Sequence, residues 1–578
     1  MPRTSDSNWV FLRKYLRPQR TSVILMVALL LGSIVVEVAE PRIVSYFIES
    51  VQLGASEETL LRIALVFLGA ALARQVMHVL ASFASERVAW TATNALRADL
   101  TAHVLNLDLT FHESRSPGEL IERIDGDVNE IAQFFSTLIV RLLGNMLLLV
   151  FILVSLFVID WRIGAACTGV VVVGMLLLQR VSRMAGPRWQ ADREQSALFF
   201  GYVSEALRAT EDIRSSSAVS YAMARFHRQL RTWLPVKVRA EAWGSLIWIV
   251  VSMVFVALAA VSFGLGGGLF QAGAVPLSDV YLVVTYSVML ATPMEVIREQ
   301  LQHLQRATAA MWRVSELLAV SSKLRNGTKP LPSGPLSVEF RDVTFSYERD
   351  PGSKVLRDLT LSIEPGATLG LVGRTGAGKT TMAHLLFRMY DPRHGQVRLG
   401  GVDVKDADLK SLRSRIGFVT QDVHIFDATV RDNLTFFDTG VDDARLLDIL
   451  HTLGLRPWLT ALPDGMDTRI SGSSVSAGQA QLIALARVFI KDPGLVILDE
   501  PSSRLDPGTG HLLERALDRL LENRTCVVIA HRLDTIRRAD TVAVIDGGRV
   551  TEHGATRDLL GEPASRLAEL CRAGEVLE

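Results

Sequence analysis

The sequence carries two stretches whose residue types and spacing point to chemistry. The first is Gly373-Arg374-Thr375-Gly376-Ala377-Gly378-Lys379-Thr380, followed by Thr381; its glycines are spaced so that backbone N–H groups can face a common point. Set between an apolar strand (369–372) and a helix (382–390), such a loop cradles phosphate. Lys379 reaches the terminal phosphates, and the Thr380 hydroxyl can ligate Mg2+. The second stretch, Val496-Ile497-Leu498-Asp499-Glu500, is an apolar strand ending in two carboxylates. Asp499 suits the second shell of a metal and Glu500 a base for an attacking water. A strand ending in an acidic pair is commonplace alone; downstream of a phosphate loop it completes a reading as nucleotide hydrolysis.

Holding these groups takes a buried sheet, which residues 336–578 supply. Short apolar runs at 369–372, 416–419, 495–498 and 525–529 alternate with helical segments, the pattern of an α/β domain. A stretch rich in Ser, Lys, Gly and Pro, 321–335, reads as a linker. Residues 1–320 differ: apolar runs at 22–48, 60–83, 134–159, 163–179, 246–263 and 280–297 each approach the roughly 20 residues that cross a bilayer. Arg13, Lys14, Arg17 and Arg20 and the loop 180–241 are basic, whereas 50–58, 160–161 and 264–279 are poor in Lys and Arg. The positive-inside rule therefore puts both termini in the cytoplasm. Trp9 and Phe11 among those basic residues suit an interfacial helix leading into a retained first span, not a cleaved signal. The connections 84–133 and 180–241 are polar and helix-compatible, so the spans continue into the cytoplasm.

The totals agree with this division. Hydrophobic residues make up 49% and mean hydropathy is +0.27, which suits a membrane protein. The 61 basic and 61 acidic residues cancel, so no nucleic-acid partner is expected from charge. Cys167, Cys526 and Cys571 lie far apart without metal-ligand spacing and fit a reducing cytoplasm and a membrane interior.

Together these features make the chain resemble, over nearly its whole length, an ATP-binding cassette (ABC) exporter half-transporter. The resemblance implies an all-α six-helix transmembrane domain followed by an α/β P-loop NTPase domain, with ATP and Mg2+ as cofactors. Tyr347 sits where the family stacks an aromatic on adenine. Gln421 follows a strand, where the family's glutamine joins Thr380 at the metal, senses the γ-phosphate and contacts the membrane domain. His531, in Ile529-Ala530-His531-Arg532, matches the switch histidine, and Asp506, in Ser503-Arg504-Leu505-Asp506, the aspartate that communicates across the dimer. A helical subdomain is implied between Gln421 and Gln479, and short coupling helices near 116–123 and 212–220. The stretch Phe111-His112-Glu113-Ser114-Arg115 resembles the family's residues before the first of these.

One motif departs. The family's signature reads Leu-Ser-Gly-Gly-Gln; here it is Val475-Ser476-Ala477-Gly478-Gln479, and the segment before it lacks the family's acidic turn. Ser476, Gly478 and Gln479 would cap the partner's ATP, and Ala477 adds a Cβ where backbone approaches phosphate. In family heterodimers the half with the intact catalytic glutamate often carries the defective signature, so the expected partner is a second, different half-transporter chain. A homodimer tolerating a mild substitution is the alternative.

Within the spans, Glu37 and Glu40 (first), Arg74 and His78 (second), Arg141 and Asn145 (third) and Glu295 and Arg298 (sixth) are costly in hydrocarbon. They form structural pairs, such as Glu37 or Glu40 with Arg74, or meet a polar part of the substrate. The implied activity is ATP-driven export of a small amphiphilic or hydrophobic molecule, a lipid or a peptide, across a bacterial plasma membrane. An exporter-fold importer of siderophores or vitamins, an ATP-gated channel and a soluble cassette ATPase are the alternatives; six spans oppose the last.

Overall fold

The structure, a computed structural model, describes residues 13–348, 352–499, 507–530 and 532–572, without the side chains of 135–140, 298, 301–305, 507–511 and 534. Trp9, Phe11, Glu500, Asp506, His531 and the Arg298 side chain therefore lie outside the described residues. The chain divides into two compact units: Met1–Leu105 with Gly118–Val320, and Asn106–Pro117 with Ser321–Glu578.

The first unit is helical. Among the described residues, six helices are long and apolar enough to cross a membrane: Arg13–Gln52, Glu57–Leu105, Arg141–Ile159, Trp161–Arg208, Val219–Gln271 and Leu277–Ile297. Most of their apolar surface points outward, as on the second, where Leu61, Leu65, Leu68, Leu72 and Val76 are more than half exposed. Only an apolar solvent makes such a stripe inexpensive. The inner faces meet in one cluster that includes Ile34, Leu156, Ile163, Cys167, Leu258 and Tyr286. The helix after Leu277–Met289 restarts at Ala291, because Pro293 has no N–H for the turn before it. Glu40 pairs with Arg74 (Nε–Oε1 2.7 Å), so one carboxylate of the first span is neutralised by the second. Outside the spans, the buried Asp127 receives two bonds from Arg313 Nε (2.9 and 3.1 Å) and one from Nη2.

The second unit contains β1 (Val338–Phe345), β2 (Leu356–Ile363), β3 (Thr368–Val372), β4 (His394–Leu399), β5 (Val402–Asp403), β6 (Ile416–Val419), β7 (Ala428–Thr429), β8 (Arg469–Ile470), β9 (Leu495–Asp499), β10 (Thr525–Ile529), β11 (Thr541–Asp546) and β12 (Arg549–Ala555). The main sheet runs β12-β11-β3-β10-β9-β6, parallel except for β12 at its edge. Its central strands are buried on both faces, which is why they read as unbroken apolar runs. An antiparallel sheet, β2-β1-β4-β5, shares a core with it. Between β6 and the helix Ala477–Lys491 lie short helices, Val430–Thr435, Asp443–Thr452 and Arg456–Ala461.

One local reading changes. The segment taken as a linker is tied to the second unit: Gly327 and Lys329 donate backbone N–H groups to Ala407 O (3.2 Å) and Asp406 O (3.0 Å), and Leu331 is buried. A short helix stands where one was expected at 116–123: Pro117–Ile121, opened by Pro117. Another precedes it, Leu109–Ser114, which Asp108 caps by accepting from Phe111 N (3.1 Å). The second short helix, Thr210–Ser215, overlaps its expected range.

Candidate active site

Parallel register gathers the chemistry at one edge. β10 pairs Ile529 with Leu371 of β3 and with Asp499 of β9, while Leu498 pairs with Val419 of β6. The carboxyl ends of four strands thus align, where an open α/β sheet presents a crevice. Out of that edge come the loop starting at Gly373, the Asp499 carboxylate, and Gln421 two residues beyond β6; Gln421 is exposed.

The loop is shaped by close approach. Gly373 has φ +153°, and a Cβ there would lie 2.1 Å from Ile545 O. Gly378 takes φ +106° as the N-cap of the helix Lys379–Leu386, and a Cβ there would meet Leu356 Cδ2 at 2.6 Å. The helix therefore starts at Lys379, three residues before the sequence reading, and Met382 N closes its first turn on Gly378 O (3.0 Å). Ala377 N donates to Arg374 O (3.1 Å), which folds Thr375 and Gly376 into a tight cup. Lys379, only 6% exposed, donates Nζ to Gly373 O (2.5 Å) and Arg374 O (3.2 Å), so its ammonium lies over the cup. A buried cation, a helix N-terminus and turned-in amides make an anion site.

The Thr380 hydroxyl donates to Asp499 Oδ2 (3.2 Å), and Asp499 is itself buried. Two of the three side chains that sequence reasoning assigned to a metal are thus brought together. Hard oxygen donors beside a phosphate cup suit Mg2+. At the other end of the cup, Thr381 shares a hydrogen bond with the Tyr347 hydroxyl (2.9 Å). Burial raises the Tyr347 phenol above its ordinary range, opposed by that bond. Phe345 and Tyr390 stand perpendicular to the Tyr347 ring, with centroids at 5.0 and 5.4 Å. His384 packs near Tyr390, and burial lowers its pKa, which keeps the ring neutral. Tyr390 did not stand out as a site residue by sequence pattern, since it belongs to no local motif with a chemistry of its own.

The Ser476 motif is built differently. Ser476 caps the helix Ala477–Lys491: Gln479 N donates to its Oγ (3.2 Å), and Gln479 Oε1 accepts from Ser476 N (2.9 Å). Ala477 occupies the first helical turn and is exposed, and Gly478 is buried. Ala477 thus fits its backbone without strain; its methyl group matters only to what approaches from outside. Arg487 anchors the helix, donating Nε to Asn433 O (2.7 Å) with its guanidinium 4.5 Å from the Phe436 ring. Burial brings Arg487 down to about 10, so it remains a cation at neutral pH.

Known proteins carry the same parts in the same order. Residues 23–294 match the ABC transporter transmembrane region and residues 356–503 the ABC transporter domain. The chain is 30% identical over 468 residues to the fatty acid ABC transporter ATP-binding/permease protein of Mycobacterium bovis, covering 80% of this chain and 74% of that protein. It is 26% identical over 479 residues to the ATP-dependent lipid A-core flippase of Desulfotalea psychrophila, covering 82% and 83%. Among solved structures, that of a bacterial Atm1-family ABC exporter with ATP bound superposes with a TM-score of 0.81 at 25% identity, covering 96% of this chain and 99% of that one.

Proposed function

The chain belongs to the ABC transporters, with transmembrane region and ATP-binding domain fused in one polypeptide, and from that premise we propose how its own residues drive transport. It is an ATPase coupled to transmembrane export. The observation that carries the residue-level reading is the phosphate cup with Lys379 over it and Thr380 bonded to Asp499.

The amides of 374–380 and Lys379 take the β- and γ-phosphates of ATP, and the adenine stacks on Tyr347. Mg2+, held by Thr380 and Gln421 with Asp499 behind them, would neutralise developing phosphate charge. Glu500 accepts the proton of the attacking water, and His531 steadies the γ-phosphate. The site is completed by another chain: this chain's Ser476, Gly478 and Gln479 face the partner's ATP, and Asp506 lies on the path between the two sites. Ala477 supports a heterodimer whose partner carries the stronger signature. Residues 1–320 form the transmembrane domain in a bacterial inner membrane with both termini cytoplasmic, 321–335 connect, and 336–578 form the cassette.

The cargo is a small amphiphilic or hydrophobic molecule. This is supported by the printed substrates of relatives, a fatty acid and a lipid A-core. The test is Mg-ATPase activity of the chain in lipid nanodiscs. Glu500→Gln should keep ATP binding and lose most turnover; full activity in that variant would remove Glu500 from its role.

A further inference from the structure

The loop between the second and third spans is part of the second unit. Its attachments are specific. Asp108 caps Leu109–Ser114 and also accepts the Lys323 backbone N–H (2.8 Å) and the Ser322 hydroxyl (3.3 Å). Leu109 packs against the same core as Tyr347. Toward the other end of this short helix, Glu113 Oε1 accepts a hydrogen bond from the Tyr390 hydroxyl at 2.5 Å. Tyr390 is 6% exposed, so that bond holds a ring with little freedom elsewhere. The next ring is Tyr347, 5.4 Å away and turned by 89°. Phe345 braces Tyr347 from another direction at 86°, and Thr381 holds its hydroxyl at 2.9 Å.

A stacking platform works only when its plane is fixed, because a base gains little from a ring that rotates away. Two perpendicular rings fix the plane of Tyr347, and the orientation of one of them depends on a carboxylate supplied from between two membrane spans. We infer that Glu113 is a positioning residue for nucleotide-base recognition, acting through Tyr390 on Tyr347. This rests on the reading of Tyr347 as the base platform. The ligand class is a purine nucleoside triphosphate; a pyrimidine overlaps the ring less and gains less from its alignment. Because the phosphates are held by a separate set of groups, the effect of Glu113 is confined to the base. By linkage, a bound purine also restrains the loop as firmly as the loop restrains the purine.

The test is equilibrium binding of ATP, CTP and inorganic tripolyphosphate to the full chain in nanodiscs, in the Glu500→Gln background so that turnover does not interfere. Glu113→Ala and Tyr390→Phe should each weaken ATP about three- to tenfold. CTP should change by less than about twofold and tripolyphosphate not at all. If Tyr347→Ala weakens ATP selectively while Glu113→Ala and Tyr390→Phe leave it unchanged, the positioning role is overturned and the platform stands. If Tyr347→Ala leaves the ATP-to-CTP ratio unchanged, platform and positioning role fall together. Equal weakening of all three ligands in Glu113→Ala and Tyr390→Phe would mean damage to the fold, and would overturn the proposal as well.

Discussion

In the mechanism proposed above the phosphate loop and the Ser476 motif serve one reaction, yet the chain builds them in opposite ways. Around the loop, Lys379, Ala377 and Thr381 are each less than a tenth exposed, and neighbouring backbone dictates where glycine must stand. The Ser476 motif has exposed Ser476 and Ala477, and its polar groups are engaged with the start of their own helix. One half-site is therefore finished by its own sheet. The other is an exposed cap held by its own helix, which the proposed mechanism leaves to a partner chain. A substitution in the first should damage this chain's own chemistry, and one in the second should reveal what the partner requires.

The comparison breaks most sharply at Lys379. Lys379→Ala removes the buried cation from the cup, and ATPase activity should fall by at least about 10²-fold. Sustained turnover, measured by phosphate release in nanodiscs, would mean that the closed half is not the seat of the terminal phosphates. The next expected effect has the opposite sign. Ala477→Gly removes an exposed methyl group and should raise turnover of the chain assayed alone by roughly tenfold, although glycine in a helix costs about 0.5–1 kcal/mol of stability. A gain in rate with no gain in melting temperature would locate the handicap in the outward surface. An unchanged rate would favour the homodimer that tolerates this signature.

The finished half was legible in the sequence because its information is local. Gly373 to Thr380 is one continuous motif, and the apolar runs before it and before Asp499 already announced buried parallel strands. The six spans were legible for the same reason, from length and composition alone. Relations across distance were not. Glu37 and Glu40 were equal candidates to pair with Arg74, and only the register of two helices selected Glu40. The bond from Tyr390 to Glu113 joins residues 277 positions apart, and no periodicity encodes it. The short helix at Leu109–Ser114, before the expected one at Pro117–Ile121, was not anticipated because the Asp108 cap that fixes it was overlooked. The hydrogen bonds of 327–329 to 406–407 were hidden by a composition that usually marks a free linker.

The smallest effect is expected at Ser476, where structure and chemistry share one oxygen. Its Oγ caps the helix Ala477–Lys491, so Ser476→Ala should cost about 1 kcal/mol and Ser476→Gly only a few tenths. On a domain of this size the alanine variant should lower the cassette's melting transition by about 2–4 °C, with the glycine variant close to the parent. Turnover offers a separate axis. If the hydroxyl also meets the partner's γ-phosphate, both variants lose the same few-fold of activity despite their different stabilities, because neither retains an oxygen to donate from. Activity that follows melting temperature, intact in glycine and reduced in alanine, would confine Ser476 to the cap. The outward half of the site would then act on the partner's nucleotide through its backbone amides and Gln479, and the contrast with the phosphate loop would be sharper than the signature sequence suggests.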